Sequence, residues 1–129
     1  MTGPRPFRVD ERGSASVELV VLMPLLLLIL FSSVQGAVYY HASTLAMAAA
    51  QEGARAASRE NGTLAAGISA ASAFVTDTAG DSLTAVTISG SRTAAIATIT
   101  VTGSSLSLVP GWNPTVEQSA SLPVERITR

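Results

Sequence analysis

The chain has 129 residues, a formal net charge of −1 and no Cys. With 47% hydrophobic and only 13% charged residues, it has no basic field to draw nucleic acid and no disulfide framework to staple an exported domain. All eight of its positive charges are Arg, and its single His leaves no Ser-His-Asp or Cys-His arrangement to build.

Residues 1–12 are polar, hold Pro4 and Pro6, and read as disordered. Arg5, Arg8 and Arg12 precede a long apolar run; after it the first positive charge is Arg55. The positive-inside rule therefore predicts a cytoplasmic N-terminus and an outer C-terminus. Leu19 to Phe31 carries no polar side chain, and Leu19 to Tyr40 supplies the roughly 20 apolar residues that a helix needs to cross a bilayer. Ser32, Ser33 and Gln35 are its clearly polar members. Pro24 lies inside the run, where a membrane helix tolerates it, and Tyr39 and Tyr40 fall at the headgroup level of the far end. Glu18 stands at the front edge of the run. A carboxylate at the bilayer centre costs about 2.5–3.5 kcal/mol, less at the edge, and is kept either for a partner or as a side chain snorkelling to water.

The order Arg12-Gly13-Ser14-Ala15-Ser16-Val17-Glu18, with Pro24 in the apolar run and Gly53-Ala54-Arg55-Ala56-Ala57 downstream, resembles the TadE family, minor pilins or pseudopilins of tight-adherence type IV pili. The resemblance is best over residues 12–60. It implies a prepilin peptidase cutting between Gly13 and Ser14, and an assembly role for Glu18, the fifth mature residue, beside an N-terminal amine. Leu19 stands where the major pilins of these systems commonly have Tyr, which favours a minor component. The partners implied are other pilins, the assembly machinery, the peptidase and inner-membrane lipid; no cofactor or metal is implied. Two other readings remain: a single-pass anchor for an outer binding module, and a secreted module released by signal peptidase at Val34-Gln35-Gly36-Ala37.

From Gly36 to Glu60 the chain is Ala-rich and free of Pro, which favours helix. Ala42, Ala46, Ala49, Gly53 and Ala57 share one side of it, suited to packing on the chain's own domain or on a fibre neighbour. Glu52 and Arg55 are spaced to pair weakly. His41 stands alone and reads as an interface residue, not a metal ligand. Asn61-Gly62 ends the helix and Thr63 caps a second one over about 64–76, with Ile68 and Phe74 as core candidates. Asp77 and Asp81 read as turn caps.

After Gly80 the period becomes alternating. Thr84, Val86 and Ile88 share one side of a strand, Gly90-Ser91-Arg92 reads as the turn, and Ala95, Ala97, Ile99 and Val101 define a second strand. A loop is predicted from Gly103 to Pro114, holding the single Trp, Trp112, as a cover for the core edge or a partner contact. Val116, Gln118, Ala120, Leu122 and Val124 mark one face of a third strand, on the sheet edge because of Pro123. The expected fold is α+β: a long transmembrane helix extending outward, a short helix and a small antiparallel sheet. The divisions are a leader 1–13, a membrane and extended helix 14–60, and an outer domain 61–129. Nothing in the sequence points to an enzyme.

Overall fold

The computed structural model describes residues 3 and 8–127, with side chains of the long helix described from Gly13 onward. The architecture is α+β. A helix α1 spans Arg8–Ser58 and α2 spans Leu64–Phe74. Three strands follow: β1 Leu83–Arg92, β2 Ile96–Ser105 and β3 Thr115–Pro123. They form an antiparallel meander in the order β1-β2-β3. Two compact units are present, Met1–Val34 and Gln35–Arg129, and their boundary falls inside α1.

The expected leader differs from the structure over residues 8–12, whose backbone is helical. Helix-breaking Pro lies at Pro4 and Pro6, and none recurs before Pro24, so the backbone is free to wind from Arg8. Arg5 lies outside the described residues, as do the side chains of Arg8 and Arg12. Pro24 is accommodated within α1.

In the second unit, called outer after the orientation expected from the sequence, the core is built on small side chains. Ala42, Ala46, Ala49, Ala50 and Ala54 of α1 are buried, and join Ala71 of α2, Ile99 and Val101 of β2, and Val116 of β3. The small-residue stripe is therefore covered within its own subunit. Its reason is visible at Gly53: a Cβ there would stand 2.8 Å from the Gly67 carbonyl oxygen and 3.1 Å from Ile99 Cγ2. A Cβ on Gly67 would in turn stand 2.8 Å from the Gly53 oxygen and 2.7 Å from the Ala57 Cβ. Two helices approach that closely only where both lack a side chain.

Thr63 caps α2 as predicted, its hydroxyl accepting from the Ala66 amide at 3.0 Å. The helix stops at Phe74, and Val75–Ala79 and Gly80–Ser82 continue as a π turn and a 3-10 turn. Asp77 and Asp81 lie exposed in these turns, neither of which has a side-chain cap, so the capping role expected of them is not found. Ile68 and Phe74 pack against the core as predicted.

The sheet corrects three sequence expectations. Gly90 is not in a turn but inside β1, opposite Ile99. A Cβ at Gly90 would press on Ile99 Cδ1 at 2.9 Å and Leu64 Cδ1 at 3.2 Å, so this Gly marks a place where core side chains crowd the strand. The turn comes at Thr93, whose Oγ1 accepts from the Ala95 and Ile96 amides. Gly103 likewise lies in β2, opposite Val116, and the loop begins only after Ser105. Thr84 is exposed while Val86 and Ile88 are half-buried, because a bulge with Ala85 at φ 51 shifts the alternation between Thr84 and Thr87. The bulge puts Leu83, Val86 and Ile88 against the core.

On the opposite face hydroxyls pair across strands, Thr98 with Ser121 at 2.8 Å and Thr100 with Ser119 at 3.1 Å. Pro123 ends β3 on the sheet edge. The far end of α1 is closed by the sheet: Arg92 Nε donates to the Ala57 oxygen at 2.7 Å, and the Glu125 amide donates to the Ser58 oxygen at 2.7 Å.

Candidate functional site

The residues singled out by sequence lie along α1, and the inner unit contains most of them. Gly13, Ser14 and Glu18 are exposed on the helix, and a Cβ placed on Gly13 would meet nothing within 4 Å. A helical Gly is about 1 kcal/mol less favourable than Ala, so the helix is locally weak at the Gly13–Ser14 bond. From Leu19 through Phe31 the large apolar side chains are all exposed, from 41% at Leu22 to 71% at Val20. This is a helix long and apolar enough to cross a membrane, and the one such helix among the described residues. Ser33, the polar residue near its end, turns its hydroxyl back on the Ile29 oxygen at 2.8 Å, which satisfies it without water. From Val17 to Val34 the helix is about 18 residues long, or roughly 27 Å, close to the thickness of a hydrocarbon core.

The outer unit starts at Gln35, and that residue has a role the sequence reading missed. Its side chain is buried, donates from Nε2 to the Leu106 oxygen at 3.1 Å, and accepts at Oε1 from the Leu108 amide at 2.8 Å. One carboxamide thus pairs with both sides of a loop backbone, as a neighbouring strand would. Tyr39 adds a second tie, its hydroxyl donating to the Thr115 oxygen at 3.3 Å. Tyr40 remains 74% exposed. A lone amide closing an apolar run is the signal that could have found Gln35; the partner loop, 71 positions on, carries no sequence mark that would have named it.

Glu52 and Arg55 pair at 3.6 Å as predicted, on an exposed helix face where the contact adds a few tenths of a kcal/mol. His41 is exposed, and Trp112 is 51% exposed on the loop.

Compared with known protein families, residues 13–55 match the family described as TadE-like protein. Residues 13–55 are TadE-like. The TadE-like segment begins at Gly13, takes in Ser14, Glu18 and Pro24, crosses the boundary between the units and ends at Arg55 within α1. It ties the chain to tight-adherence pilus systems in general terms. The sheet and α2 lie outside the match. No curated protein and no solved structure matches the chain.

Proposed function

We propose that the chain is a minor pilin or pseudopilin that takes part in assembling a tight-adherence type IV pilus, and that its role is structural and not catalytic. The observation that carries this is the coincidence of the TadE-like segment with a helix whose apolar side chains from Leu19 to Phe31 find no cover within the subunit. Such a helix is at home in lipid and equally among the apolar helices of a fibre, so passing from one to the other costs little. In this reading the chain is a single-pass protein of the inner membrane with the N-terminus inside. A prepilin peptidase cuts after Gly13, and the new amine of Ser14 meets the Glu18 carboxylate of its own or a neighbouring subunit.

Gln35 speaks against release of the outer unit as a secreted module. A cut between Gly36 and Ala37 would remove the side chain that holds the Leu106 and Leu108 backbone. The test is the intact mass of the chain purified from a host with an active prepilin peptidase. A mature protein beginning at Ser14 is expected; a chain left uncut there, or one beginning at Ala37, overturns the proposal.

A further inference from the structure

The loop that Gln35 holds has an unusual surface. Leu106, Leu108, Val109 and Trp112 are all exposed, between 41% and 53%. No charged residue occurs from Thr93 to Val116, and none occurs on α1 from Leu19 to Gln51. Arg59, just after α1, Arg92 at the end of β1 and Arg126, beyond β3, lie at the opposite end of the sheet, around the contacts of Arg92 with Ala57 and Arg59 and of Arg126 with Ala94. The loop's apolar residues thus lie at the end of the outer unit where α1 enters it, hydrogen-bonded to Gln35, the residue that follows Val34 in the chain.

We infer that the loop Leu106–Trp112, held by Gln35, docks into the headgroup layer of the bilayer that the TadE-like helix crosses, and so fixes the depth of the outer unit. The inference rests on the membrane-spanning reading of α1. Three observations select lipid as the occupant. The loop is tied to the position where the apolar surface of the helix ends. Its residue types, a Trp with aliphatic neighbours, are those that settle at a membrane–water boundary. It lacks charges that a protein partner's rim would pair with. Asp81, exposed just before β1, and Glu117, exposed near the start of β3, lie at the same end of the sheet and add no attraction to anionic lipid, so the contact is apolar and aromatic, and neutral phosphatidylcholine is sufficient for it.

Trp112 is the single Trp of the chain, so its fluorescence reads the loop without a label. The full chain is reconstituted in phosphatidylcholine vesicles, floated on a density gradient, and quenched in turn by acrylamide and by phosphatidylcholines brominated at shallow or deep acyl positions. The expected result is a chain that floats, with blue-shifted Trp112 emission, protection from acrylamide and stronger quenching by the shallow bromine. Leu108→Ser with Val109→Ser, both at exposed positions, shifts the emission to the red while the chain still floats. Gln35→Ala frees the loop and abolishes the preference for the shallow quencher. A chain that floats with Trp112 in water overturns the docking alone; a chain that does not float overturns both docking and the membrane-spanning reading. Blue-shifted emission untouched by bromine shows the loop covered by a second copy of the chain instead and overturns lipid docking. An unchanged depth preference in Gln35→Ala overturns the part assigned to that residue.

Discussion

Glu18 separates assembly from anchoring. It is exposed on α1 at the front of the apolar run, where a carboxylate is harder to keep than a neutral residue. Glu18→Ala is expected to leave membrane insertion and cutting after Gly13 intact and to abolish piliation. Within a helix bundle the Ser14 amine would then lack its acceptor, and an unpaired buried charge costs about 3–5 kcal/mol. Glu18→Asp should recover part of the function, because the charge survives at shorter reach. The measurement is the number of surface pili beside the amount of protein in the membrane fraction; normal piliation in the Ala variant would sink the mechanism. At this scale Thr63 is legible from local spacing alone, since its capping bond goes to its near neighbour Ala66; the roles proposed for Gly13, Ser14 and Glu18 rest on spacing of the same local kind. Gln35 is not, because its meaning comes from the Leu106 and Leu108 backbone that only the folded chain brings to it.

Helix against helix, the outer unit is set by the approach of α1 to α2. Gly53 and Gly67 face one another so closely that a Cβ on either meets the other's carbonyl oxygen at 2.8 Å. Gly67→Val is expected to lower the unfolding midpoint of the full chain in detergent by several degrees, since overpacking costs about 1–3 kcal/mol. Gly36→Ala, where a Cβ would meet nothing within 4 Å, is expected to raise it slightly through helix propensity. Thermal unfolding followed by circular dichroism compares the two, and equal midpoints would refute the close-packing account. The strands were readable because Ala97, Ile99 and Val101 alternate with Thr. Their ends were not. Gly90 and Gly103 look like turn residues in a sequence, but each is Gly because something crowds it within the sheet: Ile99 and Leu64 at the first, Leu83 at the second. The bulge at Ala85 escapes a reading by alternation for the same reason, because a non-Gly residue with positive φ leaves no trace in composition.

For the whole molecule, the reading commits to a direction across the membrane. A reporter enzyme active only outside the cytoplasm, fused after Arg129, is expected to be active. Activity of a cytoplasm-only reporter at the same place would reverse the orientation argued from Arg5, Arg8 and Arg12. The α+β class, the long first helix and the three-strand sheet were all readable, since each is carried by a long periodic pattern. The apolar run passes into the Ala-rich stretch without a break in helical pattern, whereas the folded chain divides between Val34 and Gln35, where tertiary contacts begin.

The closure of α1 by the segment after β3 also bears on the order of events in the export proposed for this chain. The Ser58 oxygen, at the end of the first helix made, receives the Glu125 amide, two residues beyond β3. The strand β3 that supplies Val116 to the core is the last to be synthesised, while the central strand β2 waits for it with one edge unpaired. A chain that moves outward as proposed would therefore carry an open Ala-lined helix face and a half-made sheet until residue 125 has crossed. Between the arrival of residue 58 and that of residue 125 the subunit is exposed to proteases and to pairing with its own copies, and the exposure ends when Glu125 reaches Ser58.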